Sequence, residues 1–191
     1  KIHSGSLPIL KEPNVLKLVC IARIAPEKNL KYALDVLRNV KSKVEYNIYG
    51  TIYNHAYWAQ CNEMLKNFPQ NISVHFHGAI SPEKVDLILR QNHFLFLPTT
   101  GENFGHVIFE SFSAGRPVII SDKTPWRNLE EKKIGWDLPL LDRKKFVEVI
   151  ENCVNLGQNQ YNELAQNAMS FASDYLNTDI GLDQNRNLFT C

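Results

Sequence analysis

A doubly wound α/β domain built on a parallel sheet is the fold class this sequence predicts, and three observations predict it. Short apolar runs recur along the chain, at residues 16–22, 44–49, 72–77, 94–97, 118–121 and 134–137, each too short for a typical helix. Most are separated by stretches whose apolar residues fall three and four apart, the spacing of an amphipathic helix. Glycine or proline closes several of the runs, at the end where an open parallel sheet carries its ligand crevice. At 191 residues the chain is long enough for one such layered domain with a substantial core.

Residues 1–14 contain Gly5, Pro8 and Pro13 without clean periodicity and read as a linker, so the domain proper is expected over 15–176. The first strand, 16–22, is broken only by Lys17. A loop with two cations, Arg23 and Lys28, follows it, ahead of a helix with Leu30, Ala33, Leu34 and Leu37 on one face. The second strand ends at Gly50, and residues 57–68 read as a helix striped by Trp58, Cys61, Met64 and Leu65. The third strand alternates, with Ile72, Val74 and Phe76 on one side and His75 and His77 on the other. Two such histidines can bind zinc, but no third ligand of fitting spacing follows, so they read as ordinary strand residues. Ser81 is placed to N-cap a helix that opens on Pro82 and runs to about Asn92. Beyond the fifth strand, Thr124-Pro125-Trp126 is expected to open a short helix ending near Lys133. Two closing helices, 142–156 and 160–175, come after the sixth strand, and 177–191 is a polar, weakly patterned tail.

A net charge of +1 with interleaved signs offers no basic stripe for nucleic acid and no polybasic run for a membrane surface. Cys20, Cys61, Cys153 and Cys191 are widely spaced without a C-x-x-C pair, which suits reduced thiols and a cytoplasmic protein. The sequon at 71–73 would be silent there. No apolar run approaches the ~18 residues of a membrane span, and no secretory signal opens the chain. There is no G-x-G-x-x-G, which argues against a nicotinamide dehydrogenase.

The richest stretch is 94–122, which reads strand, loop, helix, strand. Gly101 and Gly105 let the loop backbone approach a ligand, and a helix N-terminus at this point offers unpaired N–H groups to an anion. Two carboxylates bracket the loop. Glu102 lies within it, and Glu110 lies in a helix that is apolar on most sides, with His106, Glu110 and Ser113 as its one polar stripe. A buried Glu110 needs a partner: the two hydroxyls of a sugar diol, or a neighbouring backbone or internal arginine. Arg23 and Lys28 suit a diphosphate, although exposed loop charges are often only solvated.

The segment ENFGHVIFE, Glu102 to Glu110, followed by SFSAGRPV, resembles the E-x7-E region of retaining glycosyltransferases of the GT-B fold, family 4 type. The resemblance covers roughly residues 15–175 and extends to the R-x4-K pair Arg23 and Lys28 and to the G-x-I turn of Gly78 and Ile80. It implies a Rossmann-like sheet in the order 3-2-1-4-5-6 and a transferase that moves a sugar from a nucleotide-diphosphate sugar donor. In that reading Arg23 and Lys28 neutralise the pyrophosphate and stabilise the departing nucleotide. Glu102 contacts the transferred sugar, Glu110 the ribose, and the backbone of Asn103, Phe104 and Gly105 the sugar and diphosphate. Gly78 and Ile80 border the base. Gly50 remains usable for close approach, but Thr51, Ile52 and Tyr53 replace the Gly-rich turn that relatives have there.

No metal or other cofactor is implied, since D-x-D is absent and cations take the metal's place. A chain that starts at Lys1 and is too short for two Rossmann-like halves is expected to be the carboxyl-terminal half. The missing amino-terminal domain would bind the acceptor and could bring the protein to the inner face of the membrane. A GT-B epimerase or phosphorylase half and a non-catalytic nucleotide-sugar-binding module stay open as alternatives.

Overall fold

Val15–Ile21 (β1), Lys43–Tyr49 (β2), Ile72–Phe76 (β3), Phe94–Leu97 (β4), Val118–Ser121 (β5) and Gly135–Leu138 (β6) form one sheet in the computed structural model, which describes residues 9–12 and 14–178. Among the described residues the strand order is β3-β2-β1-β4-β5-β6 and every pairing is parallel. This is the expected order. Most of the linker, 1–8 and 13, and the tail beyond 178 lie outside the described residues.

β4 and β5 are buried at every position, as strands covered on both faces must be, and their sequences FLFL and VIIS carry no alternation. β3, at the sheet edge, exposes alternate residues. The helices are Leu30–Leu37 (α1), His55–Leu65 (α2), Val85–Arg90 (α3), His106–Ser113 (α4), Arg143–Asn155 (α5) and Gln158–Leu176 (α6). α1 packs on α2 and α5, while α4 packs on α3 and α6, which puts a helical layer on each face of the sheet. Ring contacts tie each layer together: Tyr32 meets Phe146 edge-on at 5.4 Å, and Phe112 meets Phe171 at 5.3 Å.

The four expected apolar positions of α1 are all buried. α2 begins two residues before the expected start, because the Asn54 side chain accepts the Tyr57 N–H at 2.8 Å and caps it. Its buried residues are Tyr57 and Cys61, with Trp58 packed on Phe76 at a ring distance of 4.3 Å. Ser81 stands at its N-cap position without a side-chain bond to the backbone, and the turn Pro82–Lys84 that follows is a 3-10 helix.

The short helix expected over 124–133 does not form. The Thr124 hydroxyl accepts the Trp126 N–H at 3.3 Å, closing a side-chain turn that competes with helix, and Asn128 and Lys133 take left-handed φ values of 56° and 53°. The Asp137 carboxylate in β6 accepts the Leu129 N–H at 2.9 Å, so a tertiary partner holds these turns.

Just ahead of β1, Lys11 is only 3% exposed, and its ammonium donates to Val154 O at 2.9 Å near the end of α5. Gln158 accepts the Lys11 N–H at 2.7 Å and donates to Ile9 O at 3.3 Å. His93 completes the strap: its Nδ1 accepts the Lys17 N–H at 2.9 Å while its Nε2 pairs with Leu10 O at 3.2 Å. Serving both bonds requires a neutral ring, and burial pushes this imidazole down to about 4.

Cys20, Cys61 and Cys153 are buried free thiols, and burial raises Cys20 and Cys61 to about 11. Among the described residues no helix is long and apolar enough to cross a membrane.

Candidate functional site

Between β1 and β4 the direction of strand succession reverses, and the loops leaving these two strands part to form a crevice at their carboxyl ends. The two loops are stitched together. The Glu27 carbonyl accepts the Thr100 N–H at 2.8 Å, the Thr99 hydroxyl at 2.8 Å and the Thr100 hydroxyl at 3.2 Å. The Asn29 amide donates to Pro98 O at 2.9 Å. Across this seam the Lys28 ammonium meets the Glu102 carboxylate at 2.6 Å, with side-chain exposures of 18% and 12%. A 3-10 turn, Pro26–Lys28, closed by Asn29 in the left-handed region, sets the direction of Lys28. Glu102 is held from behind, since its N–H donates to Lys123 O at 3.0 Å.

Arg23 lies on the exposed rim of the same loop. Its guanidinium pairs with Glu27 at 2.7 Å and sits over the Tyr53 ring at 5.0 Å. Tyr53 belongs to the stretch that departs from the Gly-rich pattern, and Ile52 there bridges to Ile24. Gly50 is demanded by the sheet itself: a Cβ on it would lie 1.9 Å from Ala22 O, and its N–H donates to Gly78 O at 2.8 Å. Gly78, by contrast, has φ +76° and open space around its missing side chain, with Ile80 half-buried beyond it. Arg23, Lys28, Gly50, Gly78 and Glu102 thus line one edge of the sheet.

The loop from Glu102 into α4 is polar and unsatisfied. Among the described residues the N–H groups of Asn103, Phe104, Gly105, His106 and Val107 donate to no protein acceptor. Gly105, with φ +77°, turns the chain into α4, and its carbonyl takes the Ile108 N–H at 2.8 Å. A run of free N–H groups leading into a helix is the backbone's natural receptor for phosphate or sugar oxygens.

Glu110 departs from the expectation of a buried carboxylate. α4 buries Ile108, Ser111 and Phe112, so only one face is covered; Val107 and Phe109 are half-buried and Glu110 is exposed. Its carboxylate makes no hydrogen bond or ion pair among the described residues. Local desolvation still pushes its carboxyl above the ordinary range, with His106 opposing and Asp86 adding to the rise. Among the described residues neither protein partner that the sequence left open, backbone or internal arginine, meets this carboxylate.

Some contributors carry no signal in the sequence. Glu27, Thr99 and Thr100 act through hydrogen bonds across 72 or 73 residues of chain. Trp126, whose indole N–H donates to Phe104 O at 2.6 Å, was legible only as the opening of a short helix. His77 pairs through Nε2 with Asn47 at 2.7 Å and stacks on Tyr49 at 4.4 Å, and among the described residues no group of three His, Cys, Asp or Glu side chains is placed to hold a metal.

Residues 7–171 match the family model described as glycosyl transferases group 1. The chain belongs to that family. Its fold is the Rossmann-like carboxyl-terminal domain of GT-B glycosyltransferases. A glycosyltransferase from Rickettsia africae ESF-5 superposes with a TM-score of 0.77 at 16% identity, over 93% of this chain and 48% of that one. Anabaena Alr3699/HepE, in complex with UDP and glucose, gives 0.72 at 18% identity, over 93% and 49%. A mutant of S. aureus TarM in complex with fondaparinux, alpha-GlcNAc-glycerol and UDP also gives 0.72 at 18% identity, over 100% and 38%. This group 1 chain therefore spans half or less of the length of these similar structures. Comparison with curated protein sequences gave no match.

Proposed function

We propose that this chain is the donor-binding half of a retaining glycosyltransferase that takes a sugar from a nucleotide-diphosphate donor. The observation that carries the reading is the enclosed Lys28–Glu102 pair at the strand switch point, beside the acceptor-free N–H groups of residues 103–107. Arg23 and Lys28 offset the charge of the diphosphate as the nucleotide leaves, Lys28 exchanging Glu102 for phosphate oxygens. Glu102, released from the ammonium, accepts hydroxyls of the transferred sugar. Glu110 takes the ribose diol with acceptor oxygens that no group among the described residues occupies. The N–H groups of Asn103, Phe104 and Gly105 hold sugar and phosphate oxygens, and Gly50, Gly78 and Ile80 border the base.

Retention of anomeric configuration follows in this scheme if the leaving phosphate oxygen helps to deprotonate the acceptor hydroxyl on the same face of the sugar. The acceptor, and any contact with the inner face of a membrane, belongs to a preceding domain. UDP in the HepE and TarM structures supports a nucleotide donor for this domain as well.

The test is titration of the isotope-labelled chain with nucleoside diphosphates, followed by NMR, beside a transfer assay with sugar nucleotides and simple acceptors. Shifts should cluster at Arg23, Gly50, Ile80 and residues 102–110, with dissociation constants nearer ~1 mM than ~1 μM because no second domain closes the crevice. No transfer is expected, since positioning of the acceptor supplies roughly 7 to 11 kcal/mol of catalysis. Robust transfer by this chain alone, or shifts on another surface, would sink the proposal.

A further inference from the structure

The backbone of Asn103 and Phe104, at the centre of the loop that carries the free N–H groups, is tied to the rest of the fold by few hydrogen bonds. Among the described residues the bond from the Trp126 indole N–H to Phe104 O, at 2.6 Å, is the sole hydrogen bond made by either Asn103 or Phe104. A cavity of about 360 Å³, lined by Asn103, Phe104, Trp126 and Phe171 among others, lies against this loop and gives it room to relax. The indole itself is firmly seated. It is 5% exposed, meets Phe104 edge-on at 5.1 Å, stacks on Phe109 at 5.9 Å and lies edge-on to Phe112 at 5.6 Å and Phe171 at 6.1 Å. The Thr124 hydroxyl fixes its backbone by accepting the Trp126 N–H at 3.3 Å.

A trans peptide unit is planar, with its C=O and its N–H pointing in opposite directions. Clamping Phe104 O toward Trp126 therefore turns the Gly105 N–H, in the same peptide plane, away from the aromatic cluster. We propose that Trp126 is a positioning residue for the donor loop: its indole N–H fixes the Phe104–Gly105 peptide so that the Gly105 N–H faces the ligand side. The role deepens the donor-binding reading and rests on it, while the restraint on the loop stands without any ligand.

The test uses the ¹⁵N-labelled chain as wild type and as Trp126→Phe, which keeps a ring and removes the donor. Trp58→Phe and Trp136→Phe, which alter indoles outside the site, are the controls. The first readout needs no ligand. Backbone order parameters at Asn103, Phe104 and Gly105 should fall from about 0.85 to below about 0.6 in Trp126→Phe and stay unchanged in the controls. Unchanged order in Trp126→Phe overturns the proposal. The second readout titrates UDP, GDP and ADP beside their nucleosides. For whichever diphosphate binds, Trp126→Phe should weaken it about tenfold and leave the nucleoside within about twofold. Equal losses for both, or none for either, overturn the positioning role. Should wild type bind none of the three, the donor-binding reading fails, and the order parameters still decide whether Trp126 holds the loop. If Trp126→Phe does not fold, hydrogen exchange of the three indole N–H groups in wild type replaces it. The Trp126 proton should exchange far more slowly than that of Trp58, and equal rates overturn the clamp.

Discussion

Glu102 and Glu110 bracket one loop and differ in almost every physical respect. Glu102 is enclosed, with 12% side-chain exposure, and already satisfied by Lys28 at 2.6 Å. Glu110 stands exposed on α4 with no partner for its carboxylate among the described residues, and its carboxyl is pushed upward. A ligand arriving at Glu102 must displace an ammonium, whereas at Glu110 it adds bonds where none exist. Under the proposed donor-binding role, charge exchange at one end and simple addition at the other would let the same loop discriminate a diphosphate sugar from a bare nucleoside.

The largest expected effect breaks the satisfied end. Lys28→Ala leaves the Glu102 carboxylate enclosed without its cation, and urea unfolding should show a loss of about 3 kcal/mol. Adding Glu102→Leu to Lys28→Met should restore most of it, because an apolar pair of similar volume has no desolvation to offset. A double variant as unstable as Lys28→Ala would show that the pair is not an enclosed unit.

Next comes the contrast between the two cations. Arg23 pairs with Glu27 on the surface, at side-chain exposures of 54% and 39%, so Arg23→Ala should cost less than about 1 kcal/mol of stability. Diphosphate binding should nevertheless fall by roughly 1.5 to 3 kcal/mol, while nucleoside binding barely changes. Calorimetric titration with both ligands checks this, and an equal loss for the nucleoside would remove Arg23 from the phosphate.

At the open end, Glu110→Gln exchanges one acceptor oxygen for a donor and should lose roughly 1 to 2 kcal/mol toward a ribose diphosphate. The deoxyribose form should distinguish the two proteins less; equal losses for both sugars would confine Glu110 to the helix. The smallest effect is on pH. Glu110 binds its proton more tightly in the folded chain than in the unfolded one, so its contribution is full below the unfolded value near 4.5 and is lost as pH rises through the folded one. Stability measured from pH 4 to 7 should therefore drift in favour of Glu110→Gln relative to wild type as pH rises. A constant difference across that range would mean that Glu110 feels no desolvation.

Much of this architecture is legible in local pattern, because a strand buried on both faces must be apolar at every position, as β4 and β5 are. The helix expected over 124–133 failed for an equally physical reason. Thr124 closes a side-chain turn on Trp126, and Asp137 captures the backbone of Leu129 from another element. Exposure of Glu110 was hidden by composition: Val107 and Phe109 look like core residues, yet α4 covers only the Ile108, Ser111 and Phe112 face. Lys28 and Glu102 were each legible as candidates, but their pairing across 74 residues depends on β1 lying next to β4, which no local spacing records.

The strap formed by Lys11, His93 and Gln158 has a mechanical consequence. A pull on Ile9 or Leu10 reaches β1 only by drawing a buried ammonium away from Val154 O and parting the Gln158 and His93 bonds. Its load is thus grounded on α5, α6 and the start of β4 before it arrives at the first strand. The crevice at the far end of β1 is thereby insulated from a pull on Ile9 or Leu10.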